Sequence, residues 1–244
     1  MYLKKIVLEN FRKFQNEDNV VKFIEAENYM KDKEKETINI APKTTIIVGK
    51  NNTGKSTIIE ALRKLIKEPN FKFSDFNFGY LKKILDSYVG KDFKEEEIEL
   101  PYLKFIITIG VSNSNEDLLT NIVSFMSIDD VDKSEVDIII KWEVEDKDIF
   151  VKDLEDILQE EPENRKFEKF IKLIEKPYFK IFYYNSNDVK IKEFPLKNLM
   201  ELTVIKANNV NSNKCLSEAF GKIIDYRYKA IEKNGEIKPN IIDA

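Results

Sequence analysis

The chain has 244 residues, a formal net charge of −4 and a sequence pI of about 5.3. This acidic balance lacks the basic surplus that usually marks a nucleic-acid-binding domain, and the length suits one large domain or two small ones. With no histidine and one cysteine, the sequence excludes a histidine general base, a Ser-His-Asp triad, the usual zinc sites and an internal disulfide.

The single cysteine, Cys215, is expected to pack as a small apolar residue. No apolar run approaches the length of a membrane span, and the first residues contain no signal-peptide core. These features predict a cytoplasmic protein without a membrane partner.

The first third of the chain alternates strand patterns with polar turns. We expect strands over 2–8 and 20–24, a turn over 10–14, and a solvated loop over the charge-rich residues 25–37. The β-branched run TTIIV at 44–48 predicts a strand buried on both faces. A helix is predicted over 56–67, where one face carries Ile58, Ile59, Leu62, Leu65 and Ile66.

The remainder of the chain reads as mixed strands and helices without a clear linker. The predicted helices cover 80–89, 116–126, 152–159, 164–175 and 214–232. The predicted strands cover 102–111, 136–144, 178–184, 188–194 and 202–206, with a hairpin turn at 185–187. The simplest organisation is one domain over 1–244, with residues 80–195 as an insertion of helices and strands.

A glycine-bearing loop between the 44–48 run and the following helix matches the pattern G-x-x-x-x-G-K-[ST] in full. Its residues are Gly49, Lys50, Asn51, Asn52, Thr53, Gly54, Lys55 and Ser56. Such a loop directs backbone N–H groups and a helix N-terminus at a phosphate chain. We expect Lys55 to reach the β- and γ-phosphates, Ser56 to bind Mg²⁺, and Thr57 to contact the α-phosphate region. The loop therefore predicts binding of ATP with Mg²⁺.

A family resemblance rests on the turn Asn10-Phe11-Arg12-Lys13-Phe14, the stretch TTIIVGKNNTGKSTIIEAL, the segment Phe73-Ser74-Asp75-Phe76 and the stretch 199–209, LMELTVIKANN. Together they resemble the N-terminal part of ABC-type ATPase heads of the SMC and RecF kind, and most closely the OLD-family ATP-dependent endonucleases. The resemblance covers roughly residues 1–80 and 195–225 of the sequence.

The resemblance implies a fold and further site residues. The fold class would be α/β, a P-loop NTPase of ABC-ATPase type, with a mixed central sheet, an antiparallel β layer and a helical insertion. Arg12 would lie beside the nucleotide, and Asn208 would stand where a metal-contacting glutamine occurs in such heads. Heads of this type also pair around ATP, which implies a homodimer or a higher oligomer, and DNA is the partner implied for the full protein.

The catalytic parts of such a head are not recognisable in this sequence. Runs ending at Asp129-Asp130 and at Glu143 are the two candidates for a Walker B strand, the second with the alternation of an edge or meander strand. The family order places the signature loop and Walker B beyond about residue 225, and a Toprim nuclease domain further on. We therefore expect this chain to bind ATP, to hydrolyse it poorly alone, and to carry no nuclease site.

Two alternatives stay open at this point. The chain could be a self-contained P-loop NTPase that uses Asp129 or Glu143 as its catalytic carboxylate. It could also be a nucleotide-gated interaction module whose 80–195 surface contacts DNA or a partner. The aromatics of that stretch, Phe179, Phe182, Tyr183 and Tyr184, then form either core or a base-stacking platform.

Overall fold

The computed structural model divides the chain into two units, Met1–Met200 and Glu201–Ala244. It describes residues 2–15, 19–23, 45, 47–48, 50, 53–91, 93, 98–111, 122–126, 135–192, 196–200, 202, 204 and 221. Only the last three of these lie in the second unit, so the architecture that follows is that of the first.

One antiparallel sheet organises the first unit. Its strands are β1 (Tyr2–Glu9), β2 (Val20–Lys22), β3 (Tyr102–Gly110), β4 (Glu135–Val144), β5 (Phe179–Tyr184) and β6 (Lys190–Ile191). Their order across the sheet is β2-β1-β3-β4-β5-β6, and every pairing among them is antiparallel. The long strands β3 and β4 pair from Tyr102↔Glu143 to Gly110↔Glu135, so they form the middle of the sheet.

The core lies on one face of this sheet, because alternate residues of each strand point to the same side. Leu8, Phe105 and Ile140 are aligned across β1, β3 and β4, and each is at most 1% exposed. An aromatic cluster continues this face, where Trp142 packs on Phe179 with ring centroids 4.7 Å apart. The apolar face of the strands thus forms one side of the core, and buried residues of the helices and loops supply the rest.

Four helices accompany the sheet: α1 (Lys55–Ile66), α2 (Phe78–Tyr88), α3 (Lys147–Glu160) and α4 (Glu163–Ile174). Asn77 begins α2 by accepting a hydrogen bond from the Tyr80 N–H, and Asp146 begins α3 in the same way. Such side-chain caps satisfy amides that the first turn of a helix leaves unpaired. Phe150 of α3 contacts Phe179 edge to face, which joins the helices to the aromatic cluster.

The predicted positions of most elements are confirmed, and one strand differs. The run TTIIV is not a doubly buried strand in the part described, because Thr45, Ile47 and Val48 carry no strand and Val48 is 84% exposed. The antiparallel β layer expected from the N-terminal and middle strands is confirmed, whereas the mixed central sheet expected around the P-loop strand stays a prediction, because much of 196–244 lies outside the described residues. The stretch 80–195 supplies four of the six described strands, so the middle strands share this layer with the N-terminal strands as expected.

Smaller differences concern single faces and short segments. Ile59 is 41% exposed, and Ala61 and Lys64 share the buried side of α1 instead. In the predicted helix 116–126, the described part is a 3-10 turn at Val123–Phe125. Strand β4 lies within the meander β3-β4-β5-β6, which is one of the two places predicted for it. Residues 25–37 and most of 202–232 lie outside the described residues.

Candidate functional site

The described end of the glycine-rich loop leads into α1 at Gly54. Gly54 caps the helix with φ at +99°, a left-handed conformation that glycine adopts without the strain a Cβ causes. Its carbonyl accepts hydrogen bonds from the N–H groups of Thr57 and Ile58 at 3.0 and 3.3 Å. The first turn of α1 holds no acidic residue and no side-chain cap, so the chain places no negative charge of its own there. This helix N-terminus favours an anion.

Lys55 lies over the loop rather than extending into solvent. Its ammonium donates to the Lys50 carbonyl at 2.5 Å, and the Thr53 hydroxyl donates to the same carbonyl at 2.9 Å. Ser56 is exposed at the helix start, whereas Thr57 is buried. A positive charge beside a helix N-terminus, with an accessible hydroxyl next to it, fits the donor set that a magnesium-bound polyphosphate requires. Gly49, Asn51 and Asn52 lie outside the described residues.

Arg12 is held by protein carboxylates next to α1. Its guanidinium donates to Asp75 Oδ1 through Nε at 3.1 Å and through Nη2 at 2.9 Å. The same Nη2 lies 3.5 Å from Glu60 Oε1 on α1. Arg12 also has a positive φ of 51°, so its backbone belongs to a tight turn. The predicted contact of Arg12 with a nucleotide stays a prediction, and these partners are what the structure gives it.

Asp75 is the buried centre of this group. Its side chain is 2% exposed and forms a second ion pair, with Lys64 Nζ of α1 at 2.8 Å. Its Oδ2 also accepts the backbone N–H of Lys72 at 3.0 Å. A buried carboxylate is tolerated when charges and hydrogen bonds surround it, as here. Two segments that the sequence singled out separately, 10–14 and 73–76, therefore meet at Asp75.

Backbone hydrogen bonds also join the segments 10–14 and 73–77. The Arg12 N–H donates to the Asp75 carbonyl at 2.7 Å, and the Asn77 N–H donates to the Asn10 carbonyl at 2.7 Å. Asn77 Nδ2 also donates to the Arg12 carbonyl at 2.7 Å. Phe11 and Phe76 form an isolated antiparallel bridge, and both are at most 1% exposed. The turn 10–14 is consequently a rigid part of the structure.

Glu60 completes the charged surface of α1. The Arg63 guanidinium hydrogen-bonded to it holds the pKa of the Glu60 carboxyl below its usual value, against a smaller opposing effect of burial. Arg63 contacts Glu60 at 2.7 Å and Glu68 at 2.5 Å. Glu60 thus stays ionised beside Arg12. The Arg12 guanidinium therefore has two carboxylate partners, Glu60 and Asp75.

The remaining predicted site residues are not brought to this place by any described contact. Glu143 lies on β4, where its carboxylate accepts a hydrogen bond from the Tyr184 hydroxyl. Asp129 and Asn208 lie outside the described residues. Among the aromatics, Tyr183 is buried, whereas half-exposed Phe182 lies under the Lys190 ammonium.

Phe14 is the site residue that sequence reasoning missed. A Cβ atom at Gly54 would lie only 3.1 Å from Cζ of the Phe14 ring, so the ring rests against the loop glycine. The one available signal was the position of Phe14 at the end of the 10–14 turn, and it does not indicate a partner forty residues away.

Two features are absent from the described residues. No group of three or more Cys, Asp or Glu residues with metal-binding geometry occurs among them. No helix in this part of the chain is both long and apolar enough to cross a membrane.

Comparison with known proteins gives one informative relative. No family model matches the chain. The sequence is 46% identical over 253 aligned residues to Endonuclease GajA of Bacillus cereus (strain HuB5-5), and the match covers 100% of this chain. The chain is therefore similar to a part of this endonuclease. It spans 37% of the relative's length, so the activity of the whole relative is not a property that the match alone gives to this chain.

Proposed function

We propose that this chain binds ATP with Mg²⁺ at the loop 49–57. The observation that carries the proposal is the start of α1, where a left-handed glycine, an uncapped helix N-terminus and the Lys55 ammonium converge. An anion of several charges is the ligand that such a convergence favours.

Each part of the loop has a separate role in this proposal. Lys55 supplies the positive charge for the outer phosphates, and the first amides of α1 supply N–H donors. Ser56 is the exposed hydroxyl that would hold Mg²⁺, and the ion, when bound, neutralises phosphate charge. Because Lys55 already lies across the loop on the Lys50 carbonyl, it needs only a change of acceptor to reach a phosphate oxygen.

We propose further that the full-length protein couples this nucleotide site to action on DNA. The support is homology to a protein named as an endonuclease, together with the resemblance of the sequence to OLD-family ATP-dependent endonucleases. In this proposal ATP binding gates DNA binding or cleavage through paired heads, in defence against phage. This step is an analogy at the level of the family.

Calorimetric titration with ATP and Mg²⁺ tests the nucleotide site, using the chain, Lys55→Ala and Lys67→Ala. Lys67 is an exposed lysine just beyond the other end of the same helix, so its loss is a matched control for charge. We expect the parent and Lys67→Ala to bind and Lys55→Ala to lose binding. Equal binding by Lys55→Ala and the parent would contradict the site.

A phosphate-release assay on the same samples separates the alternatives for turnover. Binding without sustained turnover supports a site completed by other residues, as the resemblance implies. Sustained turnover by this chain would instead place a catalytic carboxylate within it, and the Glu143→Gln and Asp129→Asn variants would then identify which one. A change in the molar mass of the chain in solution on ATP addition would report a change of oligomeric state. Without turnover, that result favours the nucleotide-gated interaction module.

A further inference from the structure

The side chain that contacts the loop glycine comes from the turn 10–14. Phe14 is half-buried, and its ring stands where a Cβ of Gly54 would approach to 3.1 Å. The backbone N–H of Phe14 donates to the Phe11 carbonyl at 2.9 Å, which fixes where the ring leaves the turn. An aromatic ring packed on a Cα atom limits how far that backbone can move.

The turn that carries Phe14 is fastened to α1 at a second place. Asp75 bridges Arg12 of the turn and Lys64 of α1, with ion-pair distances of 2.9 and 2.8 Å. Arg12 also reaches Glu60 on α1 at 3.5 Å. The turn therefore contacts the helix near its middle through charges and at its N-cap residue, Gly54, through a ring.

We propose that Phe14 is a positioning residue for the phosphate loop, and that the Arg12–Asp75 pair holds Phe14 against Gly54. The ring keeps Gly54 in its left-handed conformation and keeps the first amides of α1 aimed at one point. A site for a polyphosphate depends on such fixed donors, since small displacements of them cost affinity. The inference rests on the proposed function, because it assigns Phe14 a purpose at that nucleotide site.

Hydrogen exchange without nucleotide tests the support directly, and its result does not depend on whether ATP binds. Phe14→Ala should speed exchange of the Thr57 and Ile58 amides, which donate to the Gly54 carbonyl, by about tenfold and leave the amides of β3 unchanged. Phe14→Leu keeps apolar volume and should restore most of the protection. Phe182→Ala removes a half-exposed ring from β5 and should leave the loop unaffected. Parent-like exchange in Phe14→Ala, or equal acceleration in the loop and in β3, would overturn the proposal.

Calorimetry with two probes then locates the effect of Phe14 on binding. If the ring positions the loop, Phe14→Ala weakens Mg-ATP and magnesium tripolyphosphate by the same factor, about tenfold, and Phe14→Leu recovers both. A loss for ATP alone would mean that the ring contacts the nucleoside, and the positioning role would be wrong. Failure of the parent to bind either probe would contradict the proposed function and would leave the exchange result to decide on the support.

Discussion

At the scale of single residues, Asp75 is a buried carboxylate that pairs with two cations, Arg12 and Lys64. Its carboxylate is almost fully enclosed, and Lys64 beside it is 9% exposed, whereas Arg12 keeps 35% of its side chain in solvent. The two cations therefore depend on Asp75 to different degrees. Loss of the Asp75 charge would leave the buried Lys64 ammonium near the Arg12 guanidinium without the carboxylate that pairs with both.

Replacing Asp75 by Asn should destabilise the chain by about 3 kcal/mol, because an uncompensated buried cation costs more than the pair contributes. Urea unfolding followed by tryptophan emission measures this, since Trp142 is the one tryptophan, is 8% exposed and packs against Phe76. Adding Lys64→Met should recover at least about 1 kcal/mol by removing the stranded charge. A loss below about 1 kcal/mol in Asp75→Asn would show that the carboxylate is dispensable.

Gly54 and Gly90 form a natural pair for separating backbone strain from steric contact. Both have positive φ, +99° and +81°, but a Cβ at Gly90 would meet no atom within 4 Å. We expect Gly90→Ala to cost about 1 kcal/mol from strain alone and Gly54→Ala to cost more, because its Cβ also meets Phe14. Denaturant unfolding of both variants and of Gly54→Ala/Phe14→Leu checks this. Equal losses at the two glycines would contradict a tight Phe14 contact.

The sequence predicted the parts of this site better than their arrangement. The loop residues and the start of α1 follow from local pattern, since glycine spacing and helical period are properties of a few neighbouring residues. The Arg12–Asp75 pair joins residues 63 positions apart, and no local signal selects Asp75 over the other acidic residues as the partner. Long-range pairing of this kind depends on the fold, which is why Arg12 and 73–76 were noticed but not connected.

At the scale of elements, strands were predictable where one face alone is buried. Strands β3 and β4 carry β-branched residues in register on the core face, such as Ile107 opposite Ile138, and both occupy nearly the predicted ranges. The run at 44–48 has the same composition, yet the described Ile47 and Val48 are exposed. Composition shows that a segment suits a strand, whereas burial on both faces also needs neighbouring strands and layers, which the described sheet does not place there.

Helix α2 carries two tyrosines whose phenols resist ionisation. Burial raises the pKa of Tyr80 and of Tyr88 well above the usual value, and burial also raises that of Tyr102 on β3. The Tyr88 hydroxyl donates to the Glu99 carbonyl at 2.6 Å, which a phenolate cannot do. The folded chain therefore keeps these protons where the unfolded chain loses them.

The stability of this region should fall in alkali. Folded pKa values above the unfolded value of about 10 leave stability intact below about pH 10 and reduce it as pH rises further. We expect the free energy of unfolding, measured in urea from about pH 8 to about pH 11, to be flat and then to decline. Tyr88→Phe removes one ionisable group and should make the decline shallower. An identical slope in parent and variant would exclude Tyr88 as a contributor.

At the scale of the whole molecule, nucleotide binding and fold stability should be linked. A ligand that binds only the native chain stabilises it by mass action, by about 2.7 kcal/mol at a concentration of about 100 Kd. For a chain of this length that corresponds to a rise in Tm of about 5–10 °C. Thermal unfolding with and without Mg-ATP, on the parent, Lys55→Ala and Lys67→Ala, measures the rise. We expect this rise in Tm in the parent and in Lys67→Ala. We expect no rise in Lys55→Ala, because Lys55 contacts the loop whereas Lys67 lies at the other end of α1. A rise of the same size in Lys55→Ala would mean that the nucleotide stabilises the chain from a different place, and the loop would no longer explain the binding.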